Sequence, residues 1–304
     1  MNIFITGGTG FVGTSLVRRL TEQGHKVSVL TRSIRKDYLL PQGGSFLVGN
    51  PTQKGAWQEK VPEHEVIINL AGASIFRRWT NKTKKAIRDS RILTTQNLVE
   101  AISARKGNET LLLSTSAVGY YGSQGDSELD ELSPPGDDFL ASLSQEWEAS
   151  ASKAEAFGVR VLLCRFGIVL GTTGGALSMM LPLFKWYLGS PLGSSTQWFS
   201  WIHQLDLVNI YLFLIHQKDI SGPVNCTAPH LVRNGEMTKI LGEVLERPTF
   251  LPSVPGFVLR LILGEFGSVF LEGQKVLPTT LLERGFRFEF PDLRSALRDL
   301  LTSE

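Results

Sequence analysis

Met1-Asn2-Ile3-Phe4-Ile5-Thr6-Gly7-Gly8-Thr9-Gly10-Phe11-Val12-Gly13 is the stretch from which the fold is read. Residues 2–6 are mostly apolar or β-branched and predict a short buried strand. Gly7, Gly10 and Gly13 follow in a G-x-x-G-x-x-G spacing, and residues 14–23 take a helical pattern. Strand, glycine turn and helix in that order aim the helix's free N–H groups and its positive dipole end at one point. A pyrophosphate fits there. Gly7 permits the tight turn, Gly10 lets the backbone approach the phosphate, and Gly13 lets helix and strand pack closely. Thr9, Phe11 and Val12 complete the turn and join the expected dinucleotide contacts.

Outward from this stretch, strands are expected over residues 26–30, 45–48, 66–70, 111–115 and 159–165. Helical patterns at 80–105 and 138–157 alternate with them, and a polar, acidic loop spans 122–137. That alternation predicts an α/β Rossmann fold, a doubly wound parallel sheet with right-handed crossovers. Beyond Gly171 the alternation weakens: helices are expected at 176–188, 205–217, 237–245, 257–277 (interrupted at Gly264) and 293–301, with short strands at 224–227 and 285–290. The expected organisation is a nucleotide-binding domain over 1–170, to which about 200–228 returns, and a smaller α+β lobe over 171–304 covering the carboxyl ends of the sheet.

The 304 residues carry 31 basic and 29 acidic side chains, a net charge of +2 with no basic patch for nucleic acid or an anionic membrane. No uncharged run of about 18 residues predicts a membrane span, and no leader segment is read at the start. Cys164 and Cys226 lie in apolar runs and are expected as buried thiols of a cytoplasmic protein.

The end of the second strand selects the dinucleotide. An acid there would bond the adenosine ribose of NAD, whereas arginine accommodates the 2′-phosphate of NADP. The sequence is Leu30-Thr31-Arg32-Ser33-Ile34-Arg35-Lys36, and its first acid, Asp37, comes several residues too late. Arg32 and Ser33 are therefore expected to hold a 2′-phosphate and NADP(H) to be the cofactor, the alternative being a solvated basic turn.

The opening glycine turn, with Asn69-Leu70-Ala71-Gly72 after the fourth strand, resembles the extended short-chain dehydrogenase/reductases. Arg77-Arg78-Trp79-Thr80, Ser90-Arg91, the run from Ser116 to Gly122, Trp147-Glu148, Trp201-Ile202-His203 and Leu271-Glu272-Gly273-Gln274-Lys275 resemble one atypical subgroup, the YfcH/SulA-type epimerase family. That subgroup has its own C-terminal domain, expected at about 250–304. The resemblance implies cofactor contacts from Leu70, Ala71, Gly72 and Ser114, and from Phe166 and Ile168 along the nicotinamide.

Competent relatives carry a tyrosine, and a lysine four residues later, on the helix after the fifth strand. Here those positions fall near Leu140 and at Ser144, so the dyad is absent. Three catalytic candidates remain. Ser116 matches the relatives' upstream hydroxyl, although such a group equally bonds cofactor or backbone. Arg91 replaces an asparagine of the long helix, with a surface charge paired to Asp89 as the rival reading. Tyr121 is the available replacement acid, although an unassisted phenol with a pKa near 10 is a poor base at neutral pH. Arg77 and Arg78 suit a carboxylate or phosphate substrate, or else decorate a helix start.

Trp198, Phe199, Trp201 and His203 are read as pocket lining or, more simply, as core, with His203 a structural residue at a helix start. Two functions follow. One is an NADP-dependent oxidoreductase or epimerase of unusual mechanism acting on a small polar molecule, anionic where Arg77 and Arg78 bind it. The other is an NADP(H)-binding sensor without turnover, which relatives linked to cell division would suit. A homodimer through the helices flanking the fifth strand would use Leu98, Leu140 and Leu143, which core packing explains equally well.

Overall fold

The computed structural model describes residues 1–34, 39–105 and 109–302. Arg35, Lys36 and Asp37 lie outside the described residues. The first half runs β1 (Asn2–Thr6), α1 (Phe11–Glu22), β2 (Lys26–Thr31), β3 (Gly44–Val48), β4 (Val66–Asn69), α2 (Asn81–Ser103), β5 (Thr110–Ala117), β6 (Glu128–Leu129), α3 (Phe139–Ser152) and β7 (Val159–Phe166). It continues through β8 (Ile168–Leu170), α4 (Gly175–Lys185), β9 (Trp198–Phe199), β10 (Trp201–His203), α5 (Gln204–His216) and β11 (Gly222–Cys226). Last come β12 (Val232–Arg233), α6 (Asn234–Val244), α7 (Gly256–Leu263), β13 (Lys275–Val276), α8 (Thr279–Glu283) and α9 (Leu293–Thr302).

Seven strands form one parallel sheet in the order β3-β2-β1-β4-β5-β7-β11, the doubly wound arrangement expected from the sequence. Both of its faces are covered, as a parallel sheet requires. In β1, Ile3 and Ile5 pack into the cluster shared with α1 and α5, whereas Phe4 joins the opposite cluster with Leu98 of α2. Leu98 is thus fully buried core and offers nothing to a dimer face. Cys164 and Cys226 are buried, on β7 and β11. No helix among the described residues is long and apolar enough to cross a membrane.

Differences from the sequence-based boundaries have local causes. Helix α1 begins at Phe11, so Phe11, Val12 and Gly13 form its first turn. Helix α4 stops at Lys185 rather than 188, because Tyr187 takes a left-handed φ of 60°. The interruption expected at Gly264 is present (φ 64°), but the chain beyond it tightens into a 3₁₀ turn to Phe270 and gives way to β13 where helix was expected to 277. The strand expected at 285–290 does not form. The backbone N–H groups of Glu289 and Phe290 donate instead to the Asp206 carboxylate at 2.8 and 2.9 Å, while Phe286 and Phe288 stack edge-on at 4.9 Å. Burial raises the Asp206 pKa despite those two hydrogen bonds.

Three small ladders knit the later chain onto the sheet: β8 with β10, β9 with β12, and β6 with β13. The last places a strand inside the segment expected as loop.

Candidate functional site

The turn after β1 is shaped by its backbone. Gly7 has φ 72°, and a Cβ there would stand 2.7 Å from the Leu70 carbonyl carbon. At Gly13 a Cβ would lie 2.2 Å from the Gly7 carbonyl oxygen, so no side chain fits. Gly10 differs: that same oxygen, at 3.1 Å, is all that a Cβ would meet. Gly10 begins α1 without any side-chain cap, and the first turn holds no acid. The four leading N–H groups of a helix need partners, and here no side chain supplies a cap.

These residues open on a cavity of about 540 Å³ at the carboxyl edge of the sheet. Gly7, Gly10, Phe11, Val12 and Gly13 line one end. Leu70 and Gly72 after β4, Ser116 on β5, Phe166 at the end of β7 and Ile168 at the start of β8 line its floor. The far end is apolar: Trp79, Phe139, Leu140, Leu143 and Trp147. Residues 265–274, which the sequence did not mark as site residues, supply Glu265, Ser268, Val269 and Glu272 to the outer wall.

Other expected contacts lie off the cavity. Thr9, Arg32 and Ser33 are exposed, Arg32 and Ser33 just past β2, and no carboxylate among the described residues pairs with Arg32. The Ala71 N–H donates to the Thr6 hydroxyl at 3.3 Å. Ser114 is buried in β5 with its hydroxyl unpartnered. Arg77 and Arg78 are exposed, and Arg78 packs beside Gly264 rather than lining the cavity. Trp198 lines the cavity, whereas Phe199 and Trp201 are core. His203 starts α5: its Nδ1 accepts from the Leu205 N–H at 3.1 Å, and burial lowers its pKa to about 4, so it stands neutral.

Leu140 and Ser144, at the positions matching the absent dyad, both line the cavity from α3. Beside them Ser116 is not a free hydroxyl. It donates to Glu148 Oε1 at 2.6 Å. Arg165 clasps Glu148 with Nε and Nη2, each at 2.8 Å, and both residues are buried. Burial alone would lower the Arg165 pKa, but the hydrogen bonds and charge of Glu148 outweigh it and hold the guanidinium above its ordinary value.

The network corrects the expectation for Tyr121. Its ring is fully buried, its hydroxyl accepts from Arg165 Nη1 at 2.8 Å and donates to Asn225 Oδ1 at 2.7 Å, and it does not line the cavity. Desolvation, against the opposing effect of Arg165, pushes its pKa up to about 12. A phenol so placed braces the Arg165–Glu148 pair and delivers no proton to the cavity.

Arg91 is where the site departs most from a surface reading. Asp89 pairs with Lys85 instead. The Arg91 guanidinium lies against Gly72, where a Cβ would stand 3.1 Å from Cζ, and 5.1 Å from the Trp147 ring. Its Nη1 donates to the carbonyls of Ala73 (3.0 Å) and Ile87 (3.1 Å). Desolvation lowers its pKa to about 10, which leaves it charged at neutral pH. No carboxylate among the described residues pairs with it, and it is the only cationic side chain among those lining the cavity. The sequence pointed to Arg91 through its place on the long helix. Trp79 and Trp147 stood in the quoted motifs, but nothing local showed that they face a cavity.

Comparison with known proteins agrees with this architecture. The model of the NAD-dependent epimerase/dehydratase family matches residues 3–226, and that of a domain of unknown function, DUF1731, matches residues 254–300. An Arabidopsis thaliana epimerase family protein SDR39U1 homolog, described as chloroplastic, is 45% identical over 99% of this chain and 87% of its own length. The crystal structure of human epimerase family protein SDR39U1 (isoform 2) with NADPH superposes with a TM-score of 0.85 at 33% identity, covering 100% of both chains. A nucleoside-diphosphate sugar epimerase from Corynebacterium glutamicum gives 0.80 at 33% identity, covering 100% of this chain and 59% of that one. The resemblance read from the motifs is borne out across both parts of the chain.

Proposed function

The chain belongs to the NAD-dependent epimerase/dehydratase family, and from that premise we propose that it binds NADPH and reduces a small organic substrate. The observation that carries this reading is the continuity of the cavity, which joins the uncapped start of α1 to Ser116 and Arg91 without interruption. Such a helix start, framed by glycines, suits a pyrophosphate. Bound there, the dinucleotide supplies a hydride.

The chain's own residues hold and orient. Gly10 leaves the turn open to a phosphate. Arg32, exposed beyond β2 and without a carboxylate partner among the described residues, suits a 2′-phosphate. Ser116, its proton committed to Glu148, presents lone pairs that accept a hydrogen bond from a sugar or substrate hydroxyl. The bound NADPH of the SDR39U1 structure supports the choice of the phosphorylated cofactor.

The deciding experiment titrates the purified protein with NADPH and NADH by fluorescence, then follows the reduced nicotinamide absorbance with candidate acceptors. Tighter binding of NADPH, with turnover lowered by Ser116→Ala, is expected. Equal affinity for the two dinucleotides would sink the assignment of Arg32. Leu140 and Ser144 at the dyad positions favour a second reading, an NADPH-binding sensor without turnover. Tight binding with no acceptor consumed would select it.

A further inference from the structure

The substrate end of the cavity has an unusual inventory. Among the described residues lining it there is no tyrosine, histidine, lysine or cysteine, and Arg91 is the only cation. Its carboxylates serve elsewhere or face solvent. Asp138 caps α3 by accepting from the Ala141 N–H at 2.9 Å, Glu265 pairs with Lys84, and Glu272 is exposed. The Ser116 proton is committed to Glu148. The surrounding wall is flat and apolar, made by Trp79, Phe139, Leu140, Leu143 and Trp147.

That inventory selects among acceptors. Hydride addition to an isolated ketone or aldehyde leaves an alkoxide, comparable in basicity to hydroxide, which a site without an acid handles poorly. Hydride addition to a quinone or enone leaves an aryloxide or enolate with its charge delocalised. A phenol ionises near pH 10 and water near 15.7, so the phenolate-type product is about five to six units the weaker base. It therefore needs a fixed positive charge more than a proton donor. A nucleoside diphosphate sugar is a poorer fit here, because its two phosphates would meet one guanidinium.

We propose that the Arg91 end of the cavity is an acceptor site for planar conjugated carbonyl compounds, quinones or enones, whose reduced oxyanion the Arg91 guanidinium holds. This rests on the NADPH reading above. In the step a dihydronicotinamide C–H bond would break as a C–H bond forms at the acceptor carbon, the acceptor's π system opens, and the electron pair moves to the carbonyl oxygen. That oxygen bonds to Arg91, which keeps its own proton, and is then protonated by water. The sum is acceptor, NADPH and one proton giving reduced acceptor and NADP⁺. Phe139 and Leu140, half-buried on that wall, offer apolar surface to a planar ring, with Trp79 and Trp147 buried in the same wall.

The test uses para-nitrophenol as a mimic of the product oxyanion, added to the intact protein saturated with NADP⁺, with its ionisation read by absorbance. The bound probe is expected to ionise about one pH unit lower than in solution, corresponding to roughly tenfold preference for phenolate. Arg91→Met should abolish the shift and Arg91→Lys retain part of it, which separates loss of charge from loss of fold. In turnover, menadione and cyclohexenone should be consumed and cyclohexanone and a nucleoside-diphosphate 4-ketosugar should not. If NADPH fails to bind, the underlying reading falls. If NADPH binds but the probe ionises as in solution, or cyclohexanone or the 4-ketosugar nucleotide is the better acceptor, this inference alone is overturned.

Discussion

The two ends of the cavity are built by opposite means. At the Gly7–Gly13 end the shape comes from backbone, and a single added carbon at Gly13 would collide with the Gly7 carbonyl at 2.2 Å. At the α2–α3 end the shape comes from side chains: Trp79, Leu140, Trp147 and the Arg91 guanidinium. A backbone-built site tolerates few alternatives, because its donors and its curvature are the same atoms. A side-chain-built site can exchange one chemistry for another while the helices that carry it stay in place. The first end is therefore hard to vary and the second easy. In this chain the family's fold accompanies a cation on α2 and an apolar face on α3.

The largest expected effect lies behind the side-chain end. Glu148→Gln leaves Arg165 buried without its counter-charge and should cost about 3–5 kcal/mol of stability in urea unfolding, with much of it recovered in Glu148→Leu/Arg165→Met. A loss below about 1 kcal/mol would mean that the pair is solvated and the contrast between the ends overstated.

His203 provides a control away from both ends. Its pKa of about 4 in the fold lies below the ordinary 6.5 of the unfolded chain. Between those values the unfolded state binds more protons, so stability falls as pH drops through that window, by up to roughly 3 kcal/mol. His203→Asn, which keeps a capping acceptor, should flatten that profile; an unchanged slope would assign it to other groups.

Gly13→Ala should lower stability by about 1–3 kcal/mol and remove NADPH binding in a fluorescence titration. Retained binding would break the claim that backbone alone shapes the first end. The smallest effect sharpens specificity: Arg32→Ala should weaken NADPH by about tenfold, or roughly 1.4 kcal/mol, leave NADH unchanged, and make NADPH binding less sensitive to salt.

The same contrast explains what could be read beforehand. Apart from β6, the order of strands and helices through β7 was legible because hydrophobic periodicity and glycine turns are local signals. So was the loss of the dyad, once the helix carrying Leu140 and Ser144 was aligned on Glu148. The fate of Tyr121 was not legible. Its partners Arg165 and Asn225 come from β7 and β11, and only the sheet's register brings them to one point. The two-residue strands β6 and β13 carry no period of their own, so a loop was the natural expectation for the first. The Phe286-Arg287-Phe288-Glu289-Phe290 alternation misled in the other direction: the pattern was right for burial, but the Asp206 carboxylate had taken backbone hydrogen bonds that a neighbouring strand would need.

The β6–β13 ladder gives the molecule an order of assembly. It pairs Glu128 with Lys275 across 147 residues, whereas the seven-stranded sheet is complete at Cys226. Closing so long a loop is slow, and chains fold from the N-terminus as they are made. The growing chain therefore passes through a stage in which the dinucleotide end is formed and the outer wall, residues 265–274, has yet to arrive. The outer wall of the cavity is thus the last part of it to be laid down as the chain leaves the ribosome.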